Sequence, residues 1–513
     1  MSKLDKSLKN AKVAFVFYFI TLVVSFVSRR VFIDVLGTEL VGLSAIMQNI
    51  LGFLNLAELG VYTAVLYALY KPLVNKDEAE INKIISLFGY LYRIVGFVIM
   101  GLGIVVSFFL PLFFEKANLH WTMLLGSYYT FLSITLFSYF NNFRQILLRA
   151  DQRGYTVARI NNYLAILKVI LQIVCLKYLS SSLAEAYFIW LGFELIFSLI
   201  IRWRTNWVVK RDYPWLQPNL KNGRQLLKEY PQIVKHIKDL FAHKIGEFAL
   251  FQTTQILIFA FTSLTVVALY GNYILIVNKL SKLITSTLGS NVAGVGQVIA
   301  KGDKQKNYKL FTEFNALFFF IGGVFVYCLY YLAEPFIALW LGEEFILSRT
   351  AFILILVSAY ILLIRRPIDF FILGFGLHRD VWAAWTMGII NLLVAIVAGY
   401  YWGLEGVLFG SVVSIITILL VWKSYFLFRN GLDMSVFKYW KNVVIYVGLL
   451  ILSYIIVLPL HNYLPDINSF LTWALNAAVI TSAFVVVYGG CMYLLAPGLK
   501  GVFARLLNKW KKK

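Results

Sequence analysis

Eight basic side chains stand in stretches of the chain that are otherwise almost wholly apolar: Arg29, Arg30, Arg93, Lys168, Lys279, Lys282, Arg365 and Arg366. A cation at the centre of a bilayer-spanning helix costs about 2.5–3.5 kcal/mol, so such residues face a wet cavity, pair with an acid or reach for the interface. Lys168, in LAILKVILQI, lies too deep to reach it comfortably. Lys279 and Lys282 share one helix face at i,i+3. Arg29 and Arg30 close the first apolar stretch and are as able to snorkel outward as to line a cavity. The acids at comparable depth are Glu58, Glu194 and Asp369, with Glu247 and Glu313 nearer the inner surface. Arg366 and Asp369, at i,i+3, could neutralise each other. With all five acids paired, three positive charges remain. Guanidinium forks and ammonium groups are natural ligands of phosphate oxygens. The chemistry these residues suit is therefore the holding of an anionic group.

Further polar side chains accompany them: Asn141, Asn142, Arg144 and Gln145 in one run, Asn161 and Asn162 in the next, and Gln252, Thr253, Thr254 and Gln255 in a third. In a bilayer such groups join helices about as readily as they touch a substrate. Signatures of catalysis are missing. The chain has no GxxxxGK[ST], no HExxH, no GxSxG and no clustered histidine. Cys175, Cys328 and Cys491 each sit in an apolar stretch and make neither a CxxC site nor a disulfide framework. The chemistry reads as that of a carrier and not an enzyme, with no metal site and no cofactor beyond a coupling ion.

The elements that must position these groups follow from composition. Of 513 residues, 60% are hydrophobic and 14% charged, against roughly 45–50% and 25% in soluble domains. Fourteen stretches are long enough to cross the hydrocarbon core, near 12–34, 41–70, 84–114, 121–147, 156–178, 184–207, 245–268, 272–299, 310–340, 350–376, 381–400, 404–427, 442–462 and 470–496. The first is read as a retained helix, since no small-residue cleavage site precedes Arg29 and Arg30. With the amino terminus inside, 36 of the 47 Lys and Arg fall on cytoplasmic segments and three on external ones. That asymmetry puts both termini in the cytoplasm and accounts for the net charge of +22 without nucleic acid. The widest soluble segment, 208–244, separates two sets of six spans, and a weakly amphipathic helix within it is expected to lie on the inner leaflet.

The stretches SRRVFIDVLG (28–37) and LNLAELGVYTAVLYALYKPL (54–73) resemble the amino-terminal signature of bacterial polysaccharide flippases of the Wzx, or O-antigen, type. These belong with the multidrug, oligosaccharidyl-lipid and polysaccharide exporters. The resemblance implies an all-α polytopic fold of about fourteen transmembrane helices, with two six-helix lobes (inverse or pseudo-twofold related) around a central cationic cavity and two added carboxy-terminal helices. Its lobes would be 1–207 and 245–427, joined by 208–244 and followed by 428–496 and a basic tail at 497–513. It implies transport of undecaprenyl-pyrophosphate-linked oligosaccharide to the outer leaflet of a bacterial cytoplasmic membrane by alternating access. Arg29, Arg30, Arg93, Lys168, Lys279, Lys282 and Arg365 are then the candidate ligands of the anionic headgroup. Glu58, in LAELG, and Asp369 are candidate H⁺ or Na⁺ coupling sites. Membrane lipids and a polysaccharide polymerase would be its partners. Competing expectations are a flippase for the lipid-linked peptidoglycan precursor, a multidrug exporter of the same superfamily and, less well matched by the short external loops, a membrane glycan polymerase or ligase.

Overall fold

The computed structural model describes residues 3–55, 60–117, 119–141, 143–179, 182–288, 292–299, 301–377 and 380–511. Among them all regular structure is helical. Among the described residues eleven helices are long and apolar enough to cross a membrane, and the remaining three expected spans (12–34, 41–70 and 245–268) fall on α1 (Lys3–Leu54), α2 (Val61–Asn75) and α9 (Pro231–Phe261). The chain divides into two compact units, Met1–Ala268 and Leu269–Lys513.

In the first unit, α1 packs against α4 (Trp121–Asn141), α6 (Gly154–Tyr178), α7 (Leu183–Asp212) and α9. The reason is in its sequence: Phe32, Leu36, Leu40, Leu43, Met47 and Leu51 recur at three- and four-residue steps and are all buried. Gly37, at φ +76°, kinks this helix where the first two expected spans meet. The span expected at 41–70 is interrupted: α1 ends at Leu54 and α2 begins only after Gly60, whose φ of +94° is incompatible with a continuous right-handed helix. The expected turn near 269–271 also moves. It lies at Thr262–Ser263, where the Ser263 hydroxyl accepts from the Val266 amide and starts α10 (Leu264–Leu288); a local cap outweighs the turn preference of Gly271, which the helix interior absorbs.

The segment after α7 is docked on α3 (Glu78–Phe113), and the short helix α5 (Ile146–Ala150) packs against α2 and α6. Asn82 donates to the Trp215 carbonyl and accepts from the Gln217 amide, and Ser86 accepts from the Asn219 amide. Tyr213 donates to Asp151 at 2.6 Å, and Tyr230 to Glu80 at 2.7 Å. Burial, then the neighbouring carboxylate, pushes both phenols well above their usual range. The helix α8 (Gly223–Glu229) thereby packs on α3.

The second unit is built on α12 (Lys304–Trp340), which passes through Pro335 without a break. Before it comes α11 (Val292–Ile299) and after it α13 (Arg349–Ile364), α14 (Arg366–Gly374), α15 (Val381–Trp402), α16 (Leu404–Ser414), α17 (Lys423–Leu427), α18 (Phe437–Val457), α19 (Phe470–Leu495) and α20 (Leu499–Lys511). Its core is aromatic: Tyr327 stacks on Phe484 at 3.7 Å and Phe319 meets Tyr446 at 4.9 Å. Within the expected tail at 497–513, Leu499–Lys511 form the helix α20, held to α12 by Arg505 on the buried Glu313 at 2.7 Å.

Candidate functional site

Among the described residues, Lys168, Arg30 and Arg365 each meet a carboxylate. Lys168 Nζ of α6 donates to Glu194 Oε1 of α7 at 2.6 Å, with each side chain about one-fifth exposed. Gln172 Nε2, one turn along α6, donates to the same oxygen at 3.1 Å and to the Trp190 carbonyl. The Trp190 ring rests on Phe32 of α1 at 4.7 Å, three residues beyond Arg29. One aromatic contact thus links the Lys168 cluster to the arginine-bearing turn of α1. Arg29 Nη2 donates to the Ala268 carbonyl at 3.1 Å, and exposed Arg30 pairs with Asp34 at 3.7 Å.

Lys279 and Lys282 lie on α10 as their spacing requires, the first half-buried and the second exposed. Arg365 is buried between α13 and α14, with Nε 3.5 Å from Asp369 Oδ2. The sequence spacing also allows Asp369 to neutralise Arg366. The chain turns at Arg365, whose carbonyl accepts from the Ile368 and Asp369 amides, and this turn brings the carboxylate back over residue 365. Glu58 lies outside the described residues.

Arg93 is placed elsewhere. It is exposed and lines a cavity of about 830 Å³ in the first unit, together with Arg144, Arg202, Lys210 and Lys221. None of these four is among the candidate headgroup ligands read from the sequence; buried Arg202 belongs to the body of α7. Its signal in the sequence is the charge-free run of seven residues before it, from Leu195 to Ile201.

Of the polar run on α9, Gln255 joins two helices. Asn49 of α1 donates to Gln255 Oε1 at 2.6 Å and to the Ala45 carbonyl, while Thr253 and Thr254 are buried. Among the described residues no group of three or more His, Cys, Asp or Glu could hold a metal ion.

No family model matches the chain, and no curated protein is similar to it. Solved structures do share its fold. A lipid II flippase MurJ in an inward closed conformation superposes with a TM-score of 0.61 at 15% identity, over 93% of this chain and 99% of that one. An inward-facing multidrug resistance MATE family transporter of the MOP superfamily gives 0.54 at 15% identity, over 80% and 94%. A MATE protein in complex with MaD3S gives 0.50 at 16% identity, over 83% and 95%. All three are transporters and none is an enzyme.

Proposed function

We propose that this chain is a flippase that carries a lipid-linked, anionic oligosaccharide, the undecaprenyl-pyrophosphate-linked repeat unit of a surface polysaccharide, across a bacterial cytoplasmic membrane. The observation that carries this reading is a fold shared nearly end to end with a lipid II flippase, in a chain whose apolar helices hold Arg29, Lys168, Lys279 and Arg365. Sugar and pyrophosphate cannot enter hydrocarbon bare, so protein cations and amides must replace their hydration. Arg29, Arg30, Lys168, Lys279, Lys282 and Arg365 are the proposed headgroup ligands, and membership of the MOP superfamily with transport by alternating access is part of the proposal. Glu58 and Asp369 are the proposed H⁺ or Na⁺ coupling sites. The Lys168–Glu194 pair gives the cycle a local exchange: a phosphate competing for the ammonium would release Gln172 and Glu194. A polysaccharide polymerase is the proposed downstream partner.

Deleting the gene and locating lipid-linked oligosaccharide across the membrane tests the reading. Accumulation on the cytoplasmic face with loss of surface polysaccharide is expected, whereas normal display at the outer face would overturn it. The likeness to MurJ supports a second reading, transport of the peptidoglycan precursor that this neighbour's name specifies. Rescue of cells depleted of their own precursor flippase would favour that reading.

A further inference from the structure

The cavity that contains Arg93 lies between α3 and α7, each of which packs against α4. Its lining holds five cations and neither Asp nor Glu. Acids elsewhere in these segments are engaged by other partners: Asp212 by Arg153 at 2.5 Å and Arg211 at 2.7 Å, Asp151 by Tyr213, and Glu80 by Tyr230. Arg93, Arg144, Lys210 and Lys221 meet no carboxylate among the described residues; Arg144 sits only over the Phe143 ring. Arg202 uses Nη2 on the Ile134 carbonyl and Nη1 on Ser198, which fixes its fork and leaves further donors.

The level of this cluster can be measured along three helices. Residues 94–113 of α3 are 20 charge-free residues ending beside Arg93, a length of about 30 Å, the thickness of a hydrocarbon core. The 21 residues of α4 are charge-free and end just before Arg144. On α7, the 19 residues from Leu183 to Ile201, charged only at Glu185 and Glu194, lead to Arg202. Two charge-free runs and one nearly so, each of about one bilayer thickness, thus end at one cationic cluster, at the depth of lipid phosphates. The flank is apolar and exposed: Trp203 is 66% and Phe97 58% accessible.

The inner wall is built with close tolerances. A Cβ on Gly223 would stand 2.0 Å from Tyr90, and one on Gly89 2.4 Å from Leu220. The segment bearing Lys221 is therefore seated on α3 one turn below Arg93. Asn206 donates to the Asn141 carbonyl, while its buried Oδ1 has no partner and fits a hydroxyl donor.

We infer that this cavity binds the phosphate headgroup of an anionic lipid on the lipid-facing side of the first unit. Its volume suits a small polar group, and an uncompensated Arg–Lys cluster at phosphate depth needs an anion. The phosphate can belong to a membrane phospholipid or to a lipid-linked diphosphate; the chemistry is shared. The inference stands apart from the transport reading, because binding is measured without cargo.

The full chain in neutral detergent would be titrated with phosphatidylglycerol or phosphatidylcholine and followed by native mass spectrometry. Retention of phosphatidylglycerol over phosphatidylcholine is expected, with affinity falling about a hundredfold in the combined Arg93→Gln, Arg144→Gln, Lys221→Gln variant. The Arg93→Lys, Arg144→Lys protein should keep most of that preference, which separates lost charge from lost folding. Displacement by inorganic pyrophosphate would support a site open to a diphosphate cargo, and resistance to it a site for resident phospholipid. Equal retention of both lipids, an unaltered triple-Gln variant, or pyrophosphate binding without phosphatidylglycerol binding would overturn the inference.

Discussion

At the residue scale, a charge inside the membrane is defined by its partner. Lys168 and Glu194 stand 2.6 Å apart on adjacent helices. Removing one side of a fully buried pair costs about 3–5 kcal/mol, largely because the other charge is stranded; with each side chain about one-fifth exposed, a loss nearer 1–3 kcal/mol is expected for Lys168→Ala. The double variant Lys168→Ala, Glu194→Ala should recover part of this loss in thermal unfolding. In export assays, however, it should remain as defective as Lys168→Ala if the ammonium touches cargo. Recovery of both properties would make the pair structural only.

A second residue-scale prediction concerns pH. Lys304 holds Asp433 at 2.6 Å and keeps its carboxyl below the usual carboxylate range. Because the folded-state value is depressed, the pair stabilises the protein above the unfolded value near about 3.9 and ceases to do so as pH falls through the lower, folded one. Asp433→Asn keeps a residue suited to the left-handed backbone at φ 52°. It should lower Tm slightly at neutral pH and match the unsubstituted protein once both carboxyl states are protonated. A difference that persists unchanged in acid would assign the effect to the backbone.

At the scale of elements, the segment after α7 is a strut and not a free tether. Its hydrogen bonds to Asn82 and Ser86 and the contact of Gly223 with Tyr90 seat it on α3. Gly223→Ala overfills that contact, and overpacking of this kind costs about 1–3 kcal/mol. Limited proteolysis should cut the 213–230 segment faster in this variant, and Tyr90→Ala in the same chain should slow the cleavage again. An unaltered cleavage rate would mean that the side chain of Tyr90 moves aside without releasing the segment.

At the scale of the molecule, the basic residues predict orientation. A reporter active only in the cytoplasm should work when fused after Lys513 and fail when inserted near Lys116. Activity at both places would remove an odd number of crossings from the assignment. An even number of spans, with both termini inside, is the expected result.

Much of this architecture is legible in the chain alone, because hydrophobic length is a local property: a 20-residue apolar run such as 94–113 needs a bilayer whatever its neighbours do. The class of fold and the eleven apolar helices beyond α1, α2 and α9 follow from it. Ends set by single residues were less legible, as at Ser263 and Arg365, where one cap or turn overrides composition. Partnership was not legible at all. Sequence distance places Asp369 equally well for Arg365 and Arg366, and gives no means to bring Arg144, Arg202, Lys210 and Lys221 to Arg93. Burial and periodicity are recorded residue by residue, whereas the sign and strength of a site depend on charges brought together from distant helices, and only packing in three dimensions decides which of them meet.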